Sequence, residues 1–251
     1  MKKIRIGILG VAGRGKSFFD NILVNDGEIV AVCDIWQPNL DTAKRTLGDV
    51  ATYLDFNDFI EHEGMDAILV SNYFHEHAPF AIRALEKNIH VLSECISNGT
   101  MAEGVALVRA AERSNAIYML AENYPHMKFN REMYRVCQGG TLGKILYAEG
   151  EYNHPGNVYD TQFKKLYNYF PEHWRNFLPR TYYVTHSLGP IMRATGATPR
   201  RVTAMAVFAP VEGENAPTAS YGGDRAAVIM TQNDDGSIFR FTGCAAVGAH
   251  H

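Results

Sequence analysis

The chain has 251 residues, of which 46% are hydrophobic and 20% are charged, and its formal net charge is −3. This balance is typical of a globular protein and excludes disordered, collagenous and coiled-coil chains. The small net charge predicts no nucleic acid partner, because a nucleic acid needs a broad basic surface. The apolar runs all fall short of the roughly 18 residues of a membrane-spanning helix, so no membrane partner is expected either.

The four cysteines include no Cys-x-x-Cys pair, which indicates reduced thiols in a cytoplasmic protein rather than a disulfide framework. Lys2 and Lys3 precede an apolar run, as in a signal peptide, but Gly7 and Gly10 interrupt that run. We therefore interpret the run as a first strand and expect no targeting segment.

Short apolar runs alternate with helical patterns through the first half of the chain. The predicted strands cover residues 4–9, 29–33, 67–70, 90–92 and 117–120. The predicted helices cover residues 17–23, 41–47 and 79–87, and a further helix follows the capping-box pair Thr100 and Glu103. This alternation predicts βαβ units and a doubly wound parallel sheet in a domain of residues 1–122.

The pattern changes near Gly139. Predicted strands follow one another at residues 144–152, 202–208, 227–231 and 238–242, and Asp235-Gly236 is a favourable hairpin turn between the last two. Residues 123–251 are therefore predicted to form an α+β domain with an open, mostly antiparallel sheet. Residues 211–223 are rich in Gly, Pro, Ala and Ser and predict a mobile loop.

A glycine-rich segment joins the first predicted strand to the first predicted helix, and it fits two phosphate-binding patterns. From Gly10 to Ser17 it matches G-x-x-x-x-G-K-S, the P-loop pattern. In that pattern Lys16 binds phosphates and Ser17 binds magnesium. The loop alone therefore leaves open a nucleoside triphosphatase.

The second pattern is a dinucleotide loop of the form G-x-A-x-x-G. It places the following residues near a pyrophosphate: Gly10, Ala12, Gly13, Arg14 and Gly15. Asp34 ends the second predicted strand, 24 residues after Gly10, where its carboxylate would accept hydrogen bonds from the adenosine ribose. It would also repel a 2′-phosphate, which favours NAD over NADP. Trp36 follows and is a candidate to lie against adenine.

Several segments carry a resemblance to a known family. They are Asn72-Tyr73-Phe74-His75-Glu76-His77-Ala78-Pro79, His90-Val91-Leu92-Ser93-Glu94, Gly140-Thr141-Leu142-Gly143-Lys144-Ile145 and Thr185-His186-Ser187-Leu188-Gly189-Pro190. Together they resemble the Gfo/Idh/MocA family of NAD(P)-dependent oxidoreductases. The resemblance covers essentially the whole chain and favours the dinucleotide pattern. It implies a Rossmann domain that binds NAD and a following substrate domain with an open sheet, and it adds Asn72, His77 and Glu94 to the cofactor site.

Two motifs depart from the family pattern. The family's Glu-Lys-Pro motif is Glu94-Cys95-Ile96 in this chain, so Cys95 replaces the lysine that hydrogen-bonds the substrate hydroxyl. The family also carries Asp-x-Gly-x-His before its last catalytic helix, and of these residues only His186 is present. Histidine is the natural base for such chemistry, since its pKa lies near neutral pH.

A third similarity concerns the same segment. Tyr183-Val184-Thr185-His186 resembles the NAD-dependent α-N-acetylgalactosaminidases and related redox glycosidases. Such enzymes oxidise the sugar at C3, eliminate the glycoside, add water and return the hydride, so that the net reaction is hydrolysis. The resemblance implies that Tyr183, His186 and Glu122 carry the proton transfers.

Three further residues are candidates for substrate contact: His154, Trp174 and Arg175. Aromatic rings stack on sugars, and arginine binds carboxylates and hydroxyls. The run His75-Glu76-His77 suggests a metal site, but side chains adjacent on a helix point apart, and no metal is expected.

These observations predict an NAD-dependent oxidoreductase that acts on a hydroxyl of a small carbohydrate or cyclitol. A redox-neutral glycoside hydrolase is the alternative, and a P-loop NTPase and a non-catalytic NAD-binding scaffold also stay open. The family often pairs subunits through the open sheet, so a homo-oligomer through the C-terminal sheet is expected. Family chains are usually longer, so the second sheet is expected to be incomplete in this chain.

Overall fold

The structure is a computed structural model that describes residues 3–153, 180–207 and 226–244. The predicted mobile loop at residues 211–223 lies outside these ranges. The chain divides into two units, Met1–Ala121 and Glu122–His251, which we call unit 1 and unit 2. The division falls one residue before the boundary expected from the sequence. Among the described residues, no helix has the length and apolar character needed to cross a membrane.

Unit 1 is built on a parallel sheet of six strands. They are β1 (Ile4–Leu9), β2 (Gly27–Cys33), β3 (Ala51–Tyr53), β4 (Ala67–Val70), β5 (His90–Ser93) and β6 (Tyr118–Leu120). Their order across the sheet is β3-β2-β1-β4-β5-β6, and the described pairs are all parallel. The order reverses between β1 and β4, which is the switch point at which doubly wound sheets bind ligands.

Helices cover both faces of this sheet. They are α1 (Gly13–Lys16), α2 (Phe19–Val24), α3 (Gln37–Leu47), α4 (Phe56–Phe59), α5 (His77–Glu86) and α6 (Met101–Arg113). Adjacent strand residues therefore enter different cores. Ile8 and Val32 belong to one buried cluster, and Leu9 and Cys33 belong to the other. A sheet buried on both faces explains why the strands read as continuous apolar runs.

The sequence predictions for unit 1 hold for the longer elements. β1 and β4 have the predicted bounds, and α6 begins after the predicted capping box of Thr100 and Glu103. β3 and α4 were not predicted, because three or four residues are too short to show a period. α3 begins at Gln37, earlier than expected, because Pro38 occupies its first turn, where proline is favourable.

Unit 2 contains a second sheet, with helices beside it. Its elements are α7 (Lys128–Gln138), β7 (Tyr147–Asn153), α8 (Thr185–Thr195), β8 (Pro199–Val207), β9 (Ala226–Asn233) and β10 (Ile238–Cys244). The strand order is β7-β10-β9-β8. β7 pairs with β10 in parallel, and the other two pairs are antiparallel. The prediction of a mostly antiparallel sheet is confirmed, whereas α7 was not predicted.

One face of the second sheet forms a core with α8. Phe239 and Phe241 of β10 are buried with Ile191 of α8. The helix lies so close to β7 that a Cβ atom on Gly150 would stand 2.4 Å from the Ser187 carbonyl oxygen. Glycine at this position therefore allows the close packing that places the start of α8 beside β7.

We predict that Thr100→Ala destabilises unit 1. The Thr100 side chain accepts a hydrogen bond from the Glu103 amide, and the Glu103 carboxylate accepts one from the Thr100 amide. Loss of this cap should lower the free energy of unfolding by about 1 kcal/mol, measured by urea denaturation. Thr46→Ala, at an exposed position of α3, is the control and should change it by less than about 0.5 kcal/mol. Equal effects of the two substitutions would contradict the cap assignment.

Candidate functional site

The loop after β1 depends on two glycines. Gly10 has a φ of 83°, and a Cβ atom there would stand 2.6 Å from the backbone of Asn72. A Cβ atom on Gly15 would stand 1.8 Å from the Gly10 carbonyl oxygen. Gly13, by contrast, has open space around its Cβ position, and Ala12 is the residue that precedes α1. The loop is therefore packed against the segment that follows β4 at Gly10, and it is open at Gly13.

Asp34 connects this loop to the end of β2. Its side chain is buried, and one oxygen accepts a hydrogen bond of 3.0 Å from the Val11 amide. The other oxygen accepts hydrogen bonds from the Trp36 amide at 3.0 Å and from Asn39 Nδ2 at 3.1 Å. A carboxylate has about four acceptor positions, so one position remains. Trp36 itself lies at the start of α3 and is half-exposed.

His77 joins the loops that follow β4 and β5. Its Nδ1 lies 2.8 Å from the carbonyl oxygens of both Glu94 and Ile96, and its Nε2 lies 3.4 Å from the Asn72 carbonyl oxygen. Burial lowers the pKa of His77, although the surrounding carbonyls act in the opposite direction. The ring therefore holds the backbone of the loops after β4 and β5 in place. Its contact with a cofactor stays a prediction. Asn72 Oδ1 is buried without a hydrogen-bond partner in the described part of the chain.

An ion pair links the glycine loop to the end of β5. Arg14 Nε donates to the Glu94 carboxylate, and the Arg14 guanidinium stands 4.9 Å from the centre of the Phe18 ring. The second Glu94 oxygen accepts a hydrogen bond of 3.0 Å from the Cys95 amide. Both members of the pair were predicted cofactor residues, but the sequence does not show that they contact one another.

In unit 2, the structure brings together two of the three predicted catalytic residues. Glu122 stands just before a short 3-10 helix at Tyr124–His126, and His186 is the second residue of α8. His186 Nδ1 lies 2.7 and 2.9 Å from the two Glu122 oxygens. Gly189, one turn along α8, lies beside this pair, and a Cβ atom there would stand 3.3 Å from Pro125 Cγ and 3.5 Å from Glu122 Cγ.

The pKa of Glu122 indicates which atom of this pair donates the hydrogen bond and which accepts it. Burial alone would raise the pKa of Glu122, but the hydrogen bonds from His186 and from the Tyr124 amide lower it below its ordinary value. The carboxylate is therefore ionised at neutral pH and accepts a hydrogen bond from the His186 Nδ1–H group. In this tautomer of a neutral imidazole, Nε2 carries the lone pair and can accept a proton.

Two tyrosines that the sequence analysis missed enclose His186. The Tyr124 ring stacks on the imidazole, with 4.4 Å between the ring centres, and Tyr152 meets it edge-on at 4.6 Å. Burial and the Glu122 charge raise the pKa of Tyr124, so its phenol stays neutral. Asn130 of α7 donates a hydrogen bond of 2.7 Å to the Tyr124 carbonyl oxygen. The signal in the sequence was weak, because a lone tyrosine is more often a packing residue.

The other predicted catalytic and substrate-contact residues lie partly or wholly outside the described structure. Tyr183 lies on the short 3-10 helix Arg180–Val184 that precedes α8, but its side chain is outside the described part of the structure. His154, Trp174 and Arg175 lie outside the described residues altogether. Their roles in catalysis and substrate contact stay predictions.

Comparison with known proteins shows what each unit of the chain is similar to. Residues 4–122 match the Gfo/Idh/MocA model, which describes an oxidoreductase family with an NAD-binding Rossmann fold. Unit 1 matches this family model along nearly its whole length. The match agrees with the strand order and confirms the prediction of an NAD-binding domain rather than a P-loop NTPase. The roles of individual residues of the Gly10 loop stay predictions.

Two curated relatives are glycosyl hydrolase family 109 proteins. The protein from Saccharopolyspora erythraea is 28% identical, and the alignment covers 75% of this chain and 43% of that protein. The protein from Shewanella baltica is 27% identical, over 76% of this chain and 44% of that protein. The chain thus spans less than half the length of these relatives.

Solved structures extend the likeness to both sheets. Myo-inositol 2-dehydrogenase from Lactobacillus plantarum has a TM-score of 0.80 and 21% identity, over 97% of this chain and 70% of that one. Scyllo-inositol dehydrogenase from Lactobacillus casei, crystallised with NAD(H) and scyllo-inositol, has a TM-score of 0.82 and 20% identity, over 100% of this chain and 72% of that one. At these identities the likeness establishes the fold.

We predict that Glu122→Gln makes the free energy of unfolding depend less on pH under acidic conditions. Because the folded pKa of Glu122 is lowered, its contribution is complete above the unfolded value, about pH 4.3, and is lost as the pH falls through the folded pKa. The variant should unfold about 1 kcal/mol more easily at pH 7 and approach the parent chain at low pH. Denaturation at several pH values measures this difference. Glu61→Gln removes an exposed carboxylate and should leave the profile unchanged; a parallel shift at every pH would refute the assignment.

Proposed function

We propose that this protein oxidises a hydroxyl group of a carbohydrate or cyclitol with NAD, and that His186 accepts the hydroxyl proton. The observation that carries the proposal is the Glu122–His186 hydrogen bond in unit 2, in a chain whose unit 1 is an NAD-binding Rossmann domain. Bound NAD supplies the hydride acceptor for such a reaction. A proton acceptor must come from the protein, and an imidazole that donates from Nδ1 can supply the required lone pair on Nε2.

The residues of unit 1 fit a dinucleotide. The glycine loop leaves backbone exposed at Gly13, as the approach of a pyrophosphate requires. Asp34 retains an acceptor position for an adenosine ribose hydroxyl, and its charge opposes a 2′-phosphate. Asn72 Oδ1 is a buried acceptor without a protein partner in the described residues, so it can receive a hydrogen bond from a bound amide. Arg14, Trp36 and Glu94 complete the proposed contacts.

In unit 2, we assign proton transfer to His186 and a positioning role to Glu122. The carboxylate selects the tautomer with hydrogen on Nδ1 and stabilises the imidazolium that forms when Nε2 takes a proton. Tyr124 fixes the plane of the ring through its stacking contact. The family lysine is replaced by Cys95, so the proposed reaction depends on the histidine rather than on a lysine.

A redox-neutral glycoside hydrolase is the second candidate. The names of the curated relatives favour it, since they are glycosyl hydrolases. In that reaction a base must remove a proton beside an oxidised carbon, so that the glycosidic electron pair leaves with the aglycone, and water later adds. The proposed bases are His186, at the start of α8, and Tyr183, three residues earlier on the short 3-10 helix that precedes it. His154, Trp174 and Arg175 are the proposed contacts to the sugar in either reaction.

We predict that His186→Ala lowers turnover by about 10²–10⁴-fold while NAD binding persists. The assay contains NAD with free sugars, cyclitols and aryl glycosides, and follows NADH absorbance and aglycone release in one sample. Net NADH indicates a dehydrogenase, and aglycone without NADH indicates the glycosidase. His126→Ala, at an exposed histidine of unit 2, is the matched control and should keep full activity.

The companion variant Glu122→Gln should lower kcat more than it raises KM, because an amide can also donate to the ring and stabilise the wrong tautomer. A His186→Ala protein with undiminished turnover would exclude the proposed base. NAD binding without turnover of any sugar by the parent protein would indicate a non-catalytic scaffold.

We further propose that the face of the second sheet opposite α8 pairs with a second copy of the chain. Val228, Met230 and Met205 are exposed on this face, and the Glu149–Arg240 ion pair lies among them. A twofold interface brings identical patches together, and this patch carries both charges beside apolar side chains, so it can complement itself.

The oligomer proposal predicts that Met230→Lys reduces the mass of the particle in solution, because the substitution places a charge in the proposed interface. Light scattering after gel filtration measures the mass. Met101→Lys, on the exposed side of α6 in unit 1, should leave it unchanged. A parent chain that is monomeric at all concentrations would refute the proposal.

A further inference from the structure

The Arg14–Glu94 ion pair crosses the ligand-binding edge of unit 1. Arg14 belongs to α1, directly after β1, and Glu94 directly follows β5. In the strand order, β4 lies between β1 and β5. A side chain that connects the loops after β1 and β5 therefore passes over the carboxyl end of β4, beside the switch point of the sheet.

One end of the pair is fixed, and the other is exposed. The Glu94 side chain is only 12% exposed, and its second oxygen accepts a hydrogen bond from the Cys95 amide. The Glu94 backbone is also held, since its amide donates to the Val70 carbonyl oxygen at 2.9 Å and its carbonyl faces His77. The Arg14 side chain is 52% exposed and contacts the Phe18 ring. Arg14 is therefore the member that can leave the pair without disturbing the fold.

Dinucleotides bind along this same edge, with the pyrophosphate at the glycine loop and the remainder extending past the switch point. A ligand that follows this path must meet the Arg14–Glu94 pair. We propose that this ion pair is a clasp that closes over a bound dinucleotide and must open before the dinucleotide can leave. The inference rests on the proposed function of unit 1 in NAD binding.

The clasp affects the two candidate reactions differently. A redox-neutral reaction returns the hydride to the sugar within one catalytic cycle, so slow release of the dinucleotide does not lower its turnover rate. A net dehydrogenase must exchange NADH for NAD in every cycle, so the opening of the clasp limits its turnover. Slow dinucleotide exchange therefore suits the glycosidase, and a weakened clasp should raise kcat only in a dehydrogenase.

A simpler role for Arg14 makes the opposite prediction for Glu94. If Arg14 acted only as a pyrophosphate ligand, Glu94 would compete with the dinucleotide for it. Removal of the Glu94 charge would then slow dissociation of the dinucleotide. If the pair is a clasp, removal of either charge accelerates dissociation, and removal of both has no larger effect than removal of one.

The experiment measures dissociation of NADH from the full chain. The protein is loaded with NADH and mixed rapidly with excess NAD, and the loss of NADH fluorescence gives the dissociation rate. Glu94→Gln and Arg14→Met should each raise this rate about fivefold, the scale of a partly exposed ion pair, and the double variant should show no further increase. Added salt should accelerate dissociation from the parent protein and change the variants less.

Lys87→Met is the matched control, since it breaks a second partly exposed ion pair of unit 1, with Glu61, and should not change the rate. An unchanged or slower rate in Glu94→Gln, with NADH bound normally, would overturn the clasp and leave the proposed function intact. A parent protein that binds no NADH would overturn both. Arg14→Lys keeps the charge without the planar fork and should give an intermediate rate.

Discussion

A polar side chain that is buried at the end of a strand must find hydrogen-bond partners, because an unpaired one is costly. This constraint organises the functional edge of unit 1. Asp34, at the end of β2, meets it through the amides of Val11 and Trp36, which ties the glycine loop to the start of α3. His77, the buried first residue of α5, meets the same requirement through the Asn72 carbonyl after β4 and the Glu94 and Ile96 carbonyls after β5. The loops that are proposed to contact a dinucleotide are thus held by hydrogen bonds within the protein.

The same constraint links Glu122 to His186 in unit 2. Glu122 is buried, and the hydrogen bonds from His186 and the Tyr124 amide stabilise it as an anion. Both candidate reactions need this arrangement, since each requires a base of fixed orientation. They differ in the fate of the hydride rather than in the proton acceptor. For this reason the geometry of the Glu122–His186 pair does not separate the two proposed reactions.

Local sequence signals predicted the longer elements of the fold and the chemical types of the site. β1, β4 and the α6 cap follow from apolar runs and a capping box, which are properties of adjacent residues. The Glu122–His186 bond joins residues 64 positions apart, so the sequence supplied both partners through a family resemblance but not their contact. The rings of Tyr124 and Tyr152 were missed because their role depends on packing around His186. The pairing of Arg14 with Glu94 likewise requires the strand order.

Asp34 accepts three hydrogen bonds from the protein, and this affects any attempt to change the cofactor. Replacing this carboxylate with a small neutral residue would remove its proposed repulsion of a 2′-phosphate. It would also deprive the Val11 amide of its acceptor and release Asn39 and the start of α3. The proposed cofactor preference and the rigidity of the loop therefore both depend on Asp34. An NADP-accepting variant would need a second substitution that restores an acceptor for the loop, not merely a basic residue for the phosphate.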